Sequence, residues 1–365
     1  MKRKDALYEL LIQHAGTYCS GETLAQELGI SRAAVWKAVQ TLRTESNVPI
    51  QSHPKKGYCI PADADLLTVA AVQPHLKTQY LGRVLYTHTT INSTNTACKE
   101  LAAAYAVHGT VVAADGQSAG RGRMGRPFCS PVNTGLYFSI LLRKGLMMPM
   151  AQQVTCCAAV AVAQAIEALY QLPVQIKWVN DIFYQGKKLC GILTEAAWNC
   201  EDGRMDYMVV GIGINIRQTA VTLPPELHAI VSSLEESGCA HVRRAELLAE
   251  VLNRFERLLE TLPEHGFLEE YRRRSCLTGQ RVTAWQGTQQ REGIVTGIAE
   301  DGALLMQLDN GETIALQCQH TIISNHSIHC LTFHKVIINL FSCLKFDKTP
   351  FRVILKHHGT SRIKQ

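Results

Sequence analysis

The segment Asp115–Arg126, with sequence DGQSAGRGRMGR, combines glycines with arginines directly after an apolar run at Thr110–Ala114. Glycine tolerates positive φ and lets the backbone approach a ligand closely. Arginine supplies planar sets of N–H donors that suit carboxylate and phosphoryl oxygens. This composition does not suit a packed core, so the segment predicts a loop that binds an anionic ligand. The alternative is a solvated basic hairpin loop.

The glycines of this segment also match the pattern G-x-G-x-x-G, which in dinucleotide-binding proteins opens a helix at the last glycine. Here Arg126 and two prolines, Pro127 and Pro131, follow instead. Prolines at this spacing do not begin a helix interior. No Gly-Lys-Ser/Thr sequence is present either. The sequence therefore argues against both a dinucleotide fingerprint and a Walker loop.

Four further segments place polar residues or glycines beside apolar runs. They are Ser93-Thr94-Asn95, Lys177–Asp181, Lys188–Glu195 and Met208–Ile216. The first opens a helical pattern in which Ser93 or Thr94 is a natural N-cap with backbone donors nearby. A short hairpin at 184–187 precedes the third, and the fourth predicts a fully buried strand whose glycines allow close approach.

In this order the five segments resemble the motifs of the biotin–protein ligases, STN, GRGRxGR, KWPND, KxxGIL-E and GxGIN, over about residues 83–275. Five motifs in the right order are far more specific than any one of them. One position departs from the family pattern, because Val179 stands where the family has proline. We expect this change to affect the rigidity of the turn more than the chemistry.

The resemblance implies that the protein activates biotin with ATP, giving biotinyl-5′-AMP, and then biotinylates a lysine of an acceptor protein. Phosphoryl transfer of this kind requires positioning and charge stabilisation. Arg123 and Lys188 are the expected catalytic cations, with Arg121 beside them. No Ser/His/Asp or Cys/His constellation is evident, so no covalent enzyme intermediate is expected.

The resemblance assigns further side chains to the two substrates. The expected biotin contacts are Ser93, Thr94, Asn95, Gln117, Arg121, Gly122, Arg123 and Lys188. The expected ATP or adenylate contacts are Arg121, Arg123, Arg126, Asn180, Asp181 and Asn215. Asp181 is also the candidate contact for Mg²⁺ bound to ATP, and a helix cap or local turn is nearly as plausible for it.

The family resemblance also implies that two loops, Arg121–Phe128 and Gln218–Ile230, order around the adenylate and exclude water. In relatives the second loop can bring an aromatic side chain against adenine. Here Arg217–Glu236 contains no Phe, Tyr or Trp. The sequence therefore leaves open whether the site retains the adenylate and whether any switch that depends on this retention operates.

The first 65 residues predict a separate helical unit. Apolar residues recur at helical spacing in Lys4–Gly16 and Gly21–Arg43, Gly29 interrupts the second pattern, and Ser31 is a fair N-cap for the helix that follows. A β-ribbon with Lys55 and Lys56 comes next. The arrangement resembles winged helix-turn-helix domains. The expected DNA contacts are Ser31, Arg32, Ala33, Trp36, Lys37, Gln40, Lys55 and Lys56. The alternative is a three-helix protein-interaction module.

Short β-rich runs alternate with turn signals in Gly279–Leu316, which predicts a small β-barrel. The expected fold is α+β and multidomain. It comprises a winged helix at 1–65, a class II synthetase-like α/β catalytic domain at 66–276, an SH3-like barrel at 277–324 and a basic, poorly ordered tail at 325–365. That tail carries seven Lys/Arg and one Asp, a net charge of +6 equal to that of the whole chain, so residues 1–324 are formally neutral.

A winged helix joined to such a ligase resembles the bifunctional biotin ligase/repressors. We therefore expect a biotin-responsive repressor that binds operator DNA as an adenylate-bound homodimer and biotinylates the carboxyl-carrier protein of acetyl-CoA carboxylase. No run approaches the ~20 apolar residues of a membrane span, and thirteen cysteines lack any C-x-x-C pair, so we expect a cytoplasmic protein with reduced thiols and no membrane partner. The alternatives are a ligase with a vestigial DNA-binding domain, a ligand-gated regulator without ligase activity, and a lipoate or other acyl-carrier ligase.

Overall fold

The computed structural model describes residues 3–46, 48–62, 64–143, 150–198, 205–217, 229–286, 288–318 and 321–325. Its strands form a two-stranded ribbon, a seven-stranded sheet and a five-stranded sheet, in that order along the chain. The expected tail at 325–365, apart from its first residue, lies outside the described residues.

The N-terminal unit contains three helices and a ribbon: α1 (Arg3–Gln13), α2 (Gly21–Leu28), α3 (Arg32–Ser46), β1 (Gln51–His53) and β2 (Gly57–Cys59). The side chain of Ser20 caps α2 by accepting from the Thr23 N–H at 3.0 Å. Gly29 ends α2 with a φ of 62°, in the left-handed region that glycine tolerates. The helices enclose a core of their own. The predicted break and the two helices around it are confirmed.

The central sheet has the strand order β3-β4-β5-β9-β8-β7-β6. Its strands are β3 (Leu85–Ile91), β4 (Val111–Gln117), β5 (Gly135–Leu142), β6 (Gln175–Lys177), β7 (Asp181–Tyr184), β8 (Lys187–Trp198) and β9 (Met205–Asn215). β3 and β4 are parallel, and the remaining neighbours are antiparallel. β5 is buried along its whole length, as the apolar run in its sequence requires.

Five helices accompany this sheet: α4 (Val69–Val72), α5 (Thr94–Ala103), α6 (Met150–Tyr170), α7 (Arg244–Glu260) and α8 (Leu268–Arg274). Among the described residues, α6 alone is long and apolar enough to cross a membrane. It is instead a core helix, because both Cys156 and Cys157 and most of its other side chains are buried against the sheet and α7.

The C-terminal sheet has the order β13-β12-β11-β10-β14. Its strands are β10 (Arg281–Gln286), β11 (Gln289–Ile298), β12 (Leu304–Leu308), β13 (Thr313–Leu316) and β14 (Thr321–Asn325). The expected closed barrel is not found, since within the described residues β13 and β14 stand at opposite edges of the sheet. Hairpin signals specify which neighbouring strands pair, and they do not specify closure between the first and last strands.

A buried charge network joins the N-terminal unit to the central sheet. The Arg244 side chain is fully buried and contacts Asp65 at 2.7 Å and Asp115 at 2.8 Å. The Tyr8 hydroxyl of α1 donates to Asp115 at 3.2 Å, and Arg217 contacts Asp65 at 2.8 Å. Although burial alone lowers the pKa of Arg244, the two carboxylates raise it well above its ordinary value. The network therefore consists of a permanently charged guanidinium between two carboxylates.

The C-terminal sheet packs apolar side chains into the core of the central domain, and its backbone also forms hydrogen bonds with side chains of that domain. The Trp178 indole donates to the Gly302 carbonyl at 2.9 Å, and the Arg272 guanidinium donates to the Ile298 carbonyl. The Cys318 N–H donates to the Gln152 side chain at 2.7 Å. The five-stranded sheet therefore lies against the segment that carries the KWVND motif.

Candidate functional site

The glycine–arginine loop leaves β4 at Gln117 and makes one short 3-10 turn at Arg123–Gly125. The Gly122 N–H donates to the Arg126 carbonyl at 2.7 Å, and the Phe128 N–H donates to the Gly120 carbonyl at 2.9 Å. The segment thus folds back on itself and begins no α-helix. The prediction against a dinucleotide fingerprint is confirmed.

Phe128 lies directly on two glycines of the central strands. A Cβ added to Gly213 would lie 2.6 Å from Cε1 of the Phe128 ring, and one added to Gly191 would lie 3.4 Å from its Cε2. The ring also meets Tyr137 edge-on at 6.3 Å between centroids. The glycines of the GIL and GIN motifs are therefore needed for the approach of this aromatic ring. Phe128 was missed in the sequence, although glycines in a buried strand are a signal of such an approach.

A cavity of about 340 Å³ opens beneath the loop, between the loop, α5, β7–β9 and β14. Every ligand residue that the sequence predicted lines it: Ser93, Thr94, Asn95, Gln117, Arg121, Gly122, Arg123, Arg126, Asn180, Asp181, Lys188 and Asn215. The unpredicted lining residues include Met124, Phe128, Cys129, Trp178, Phe183 and Ile322. Segments that are far apart in sequence are thus brought together at one site.

One end of the cavity is a neutral hydrogen-bonding cradle. Ser93 occupies the N-cap position of α5, as predicted, but its side chain makes no capping hydrogen bond. Instead the side-chain oxygen Oε1 of Gln117 accepts from the Thr94 N–H at 2.9 Å, and the side-chain nitrogen Nε2 of Gln117 donates to the Ser130 hydroxyl at 3.0 Å. Both ends of the Gln117 amide are therefore fixed, and its orientation is set before a ligand binds.

The other end of the cavity is cationic. Arg123 donates to Asn180 Oδ1 at 3.1 Å and to the Cys318 carbonyl at 2.6 Å, while Lys188 contacts Asp181 Oδ1 at 2.6 Å. Burial, together with the nearby Arg123 charge, lowers the pKa of Arg126. Several cations thus converge on a partly dry space, with one carboxylate lining it among the described residues. Such a space suits a carboxylate and a phosphate held together.

Known protein families match three parts of the chain. Residues 87–215 match the biotin/lipoate A/B protein ligase family, residues 3–59 match an HTH domain, and residues 277–325 match the biotin protein ligase C-terminal domain. The bifunctional ligase/repressor BirA of Bacillus subtilis strain 168 is 36% identical over 314 residues, which are 85% of this chain and 95% of that protein. The chain belongs to the bifunctional biotin ligase/repressor family.

Two further relatives agree with this assignment. The bifunctional ligase/repressor BirA of Escherichia coli K12 is 30% identical over 80% of this chain and 89% of its own length. A biotin protein ligase from Aquifex aeolicus, solved in complex with biotin and ATP, is 28% identical and superimposes with a TM-score of 0.58 over 67% of this chain and 99% of that chain. The family confirms an HTH domain, a biotin ligase domain and a ligase C-terminal domain.

The fit of Mg²⁺ to this ligase site depends on Asp181. Within the described residues no group of three or more His, Cys, Asp or Glu side chains could hold a metal ion. Asp181 is the one acidic side chain in the described cavity lining, and it already contacts Lys188. Mg²⁺ commonly takes one or two carboxylates and completes its coordination with substrate phosphates and water. The residues therefore fit an ion that arrives with ATP and do not form a protein cage.

The HTH domain presents most of its predicted DNA residues outward. Arg32, Ala33, Trp36 and Lys37 are exposed on α3, while Gln40 is half-buried. The Ser31 hydroxyl is occupied at the N-cap, where it accepts from the Ala34 N–H at 3.2 Å. Lys55 and Lys56 occupy the exposed tip of the ribbon.

Arg43, near the end of α3, binds the ribbon. Its guanidinium donates to the Ile50 carbonyl and to the Ser52 hydroxyl at 2.7 Å, because the ribbon folds back against the end of α3. It therefore holds the ribbon to the helix. Residues 218–228, which contain most of the expected second loop, lie outside the described residues; Ile230 and Val231 after them line the cavity.

Proposed function

We propose that this protein condenses biotin with ATP to give biotinyl-5′-AMP and pyrophosphate, and then transfers the biotinyl group to a lysine of a carrier protein. The supporting observation is the cavity itself, which joins a neutral cradle at Thr94 and Gln117 to a cationic end at Arg123 and Lys188. Biotin has the matching shape, since a polar ureido ring and a carboxylate lie at opposite ends of the molecule.

In the first step an oxygen of the biotin carboxylate attacks the α-phosphorus of ATP, and pyrophosphate leaves. The step needs alignment of two anions and stabilisation of the charge that develops at phosphorus. Arg123 and Lys188, which both line the cavity, supply that charge. Because Asn180 and a carbonyl of the C-terminal sheet hold Arg123, little reorganisation is needed when the phosphate arrives.

In the structure, Lys188 forms a salt bridge with Asp181. Its ammonium faces Asp181 at 2.6 Å, and both side chains are partly buried. Mg²⁺ bound to ATP would use Asp181 as its protein ligand and would help to neutralise the phosphates. That exchange would release Lys188 toward the carboxylate and the α-phosphate.

In the second step a lysine ε-amine of the acceptor attacks the mixed anhydride, and AMP leaves. The mixed anhydride also reacts with water, so the site must exclude water until the acceptor docks. The loop around Phe128 already lies over Gly191 and Gly213 and provides one side of that cover. Ile230 and Val231, which also line the cavity, contribute to that cover.

The ligand cradle also explains why biotin is preferred to lipoate. Thr94 and Gln117 line the cavity as oriented hydrogen-bonding groups. A dithiolane ring offers no N–H or carbonyl to the second Gln117 amide hydrogen or to the remaining lone pairs of Thr94 and Gln117, so binding it would bury this hydrogen-bonding capacity unused, which costs far more than a lost methylene contact. This argument favours a biotin ligase over an acyl-carrier ligase of related architecture.

The regulatory half of the proposal is a biotin-responsive repressor that binds operator DNA as an adenylate-bound homodimer in the cytoplasm. The exposed cationic face of α3 with Lys55 and Lys56 supports DNA contact. The proposal includes a winged-helix domain at 1–65. It also includes a class II synthetase-like catalytic domain at 66–276 and an SH3-like domain at 277–324. A ligase with a vestigial DNA-binding domain would lack the regulatory half of the proposed function. A regulator without ligase activity would lack the catalytic half.

The test is to incubate the purified protein with biotin, Mg-ATP and an isolated biotin carboxyl-carrier domain, and to measure biotinyl-5′-AMP and carrier mass. We expect adenylate within one turnover and a single biotinylated lysine on the carrier. Lipoate in place of biotin should give neither product. Equal products with lipoate, or no adenylate with biotin, would refute the proposed ligase.

A further inference from the structure

A hydrogen-bonded chain runs from the edge of β8 to the neutral cradle. Glu195 stands on β8 with its carboxylate between two donors: Lys99 at 2.6 Å on one oxygen and the Asn95 amide at 2.8 Å on the other. Asn95 is 6% exposed, and its Oδ1 accepts from the Ser139 hydroxyl at 2.5 Å. Ser139 in turn lies 2.7 Å from the Thr94 hydroxyl, which lines the cavity.

We propose that Glu195 is a positioning residue for the biotin ring, acting through Asn95 and Ser139 to keep the Thr94 hydroxyl oxygen as an acceptor toward the cavity. The inference rests on the proposed biotin ligase activity. It gives the last residue of the KxxGIL-E motif a role in recognising the ureido end of the substrate. It predicts no role in the chemistry at phosphorus, because the hydrogen-bonded chain does not include Arg123 or Lys188.

The argument begins with the two donors that face Glu195. An ammonium has only donors, and a side-chain amide offers donors from its nitrogen and acceptors from its oxygen. A carboxylate accepts on both oxygens, so it fixes the Asn95 amide with its nitrogen toward β8. The hydrogen bonds from Lys99 and Asn95 outweigh burial and lower the pKa of Glu195, so the carboxylate stays ionised at neutral pH.

The orientation of Asn95 then sets the Ser139 hydroxyl. Ser139 has one hydrogen, and directing it to Asn95 Oδ1 leaves a lone pair toward the Thr94 hydroxyl. With the Ser139 hydrogen on Asn95, Thr94 can donate its own hydrogen to Ser139 rather than to Gln117 Oε1, which lies 3.2 Å away, and keep its lone pairs for a ligand N–H. The packing around Asn95 is tight, since a Cβ on Gly211 would lie 2.0 Å from Asn95 Oδ1. Rotation of the amide about its last bond is therefore the available response to a perturbation.

Glu195→Gln reverses this polarity without changing size. The new amide would turn its nitrogen toward either Lys99 or Asn95, and both are donors there. Rotation of the Asn95 amide relieves the conflict, gives up the hydrogen bond from Asn95 to the Leu193 carbonyl at 3.4 Å, and makes Ser139 an acceptor from Asn95. Ser139 would then donate to Thr94 and occupy a lone pair of its oxygen, while the Thr94 hydrogen turns to Gln117 Oε1, so Thr94 becomes a poorer acceptor for the ligand N–H.

The experiment measures biotin-dependent ATP–pyrophosphate exchange in the full-length protein, with KM and kcat for each substrate and a thermal melt for each variant. For Glu195→Gln we expect KM for biotin to rise about tenfold, the equivalent of one misdirected hydrogen bond. KM for ATP, kcat and Tm should stay near wild-type values. Glu250→Gln is the matched control, because Glu250 forms a similar partly buried ion pair with Arg254 at 2.7 Å on α7, outside the cavity lining.

A compensating variant tests the direction of the chain. Asn95→Asp alone sets two carboxylates against each other and should raise KM for biotin more than Glu195→Gln does. In the double variant, the carboxylate at position 95 accepts from the amide at position 195 and from Ser139. We therefore expect the double variant to recover most of the loss in KM, which a purely structural role for Glu195 would not produce.

The outcomes separate the inference from the function beneath it. Wild-type protein without biotin-dependent exchange would refute the proposed function and the inference with it. An active wild type whose Glu195→Gln variant keeps its KM for biotin would refute the inference alone. A loss in kcat and Tm together, without recovery in the double variant, would show that Glu195 only supports the fold.

Discussion

Arg244→Met removes the guanidinium that joins the N-terminal unit to the central sheet. Arg244 is fully buried and contacts both Asp65 and Asp115, which are themselves largely buried. Breaking a buried ion pair by deleting one partner costs about 3–5 kcal/mol, because a buried charge remains without compensation. For a domain of this size that loss lowers Tm by about 10 °C. Methionine fills much of the volume, so the loss is electrostatic rather than a cavity effect.

The loss should depend on pH in a defined direction. Burial raises the pKa of Asp115, although Arg244 and the Tyr8 hydroxyl act in the opposite direction. Removal of Arg244 therefore raises this pKa further. A carboxyl whose folded pKa lies above its unfolded value destabilises the fold at higher pH, and the penalty disappears once the group is protonated in both states. The difference between wild type and variant should therefore shrink as the pH falls from 7.5 toward 5.

In the wild type, the pKa of Asp65 shifts in the opposite direction to that of Asp115. Burial alone would raise its pKa, but Arg244 and Arg217 bring the pKa below its ordinary value. A lowered folded pKa contributes stability above the unfolded pKa, about 3.9, and that stability is lost as the pH falls through the folded value. Wild-type protein should consequently lose stability in acid while the variant has less to lose.

Thermal and urea unfolding followed by circular dichroism, from about pH 3 to 7.5 so that the range includes the titration of Asp65, is the assay. Arg254→Met is the control, because its ion pair with Glu250 is partly exposed and worth roughly 0.3–0.5 kcal/mol. A loss for Arg244→Met no larger than that of the control would refute the buried network as a stabilising link. A pH-independent loss would refute its electrostatic origin.

Four further results are expected. Lys188→Ala should lower adenylation by orders of magnitude, while the exposed neighbour Lys187→Ala should do little, as measured by pyrophosphate exchange; equal losses would reverse the assignment. Gly213→Ala places a Cβ 2.6 Å from the loop phenylalanine and should speed leakage of bound adenylate in a chase experiment, and unchanged leakage would exclude the loop as a cover. A stop after Asn325 should preserve adenylation and carrier labelling, and a folded but inactive truncation would assign residues 326–365 to the enzyme. Deleting residues 1–62, which keeps Asp65 as a partner of Arg244, should abolish a steeply salt-dependent DNA affinity but leave ligation, and DNA binding without that segment would overturn the assignment.

The candidate ligand residues could be picked out from the sequence because their signals are local. Each motif has its own short signature, such as glycines beside arginines or a polar triplet that opens a helix, and the order of the motifs identified the chemistry. The structure brings the predicted side chains to one cavity. The strands β10 to β13 lie within Gly279–Leu316, where short β-rich runs were predicted, because alternation and Asn-Gly or Asp-Gly turns are short-range signals.

The missed features depend on contacts between distant parts of the chain. Arg123 is held by the carbonyl of Cys318, and a carbonyl acceptor has no signature in a sequence. Glu195 pairs with Lys99 across 96 positions, and Arg244 with Asp65 across 179. The strand β14 and the open order of the C-terminal sheet were missed for the same reason. Local alternation of apolar and polar residues does not specify which distant strands pair in a sheet.

The most direct test of the account is isotope exchange between pyrophosphate and ATP in the purified wild-type protein with biotin, with lipoate and with neither. Exchange measures the first half-reaction alone and requires no acceptor protein. The cradle at Thr94 and Gln117, joined to the cations Arg123 and Lys188, predicts rapid exchange with biotin and background exchange in the other two reactions. Exchange that is absent with biotin, or that is equally fast with lipoate, would contradict the account.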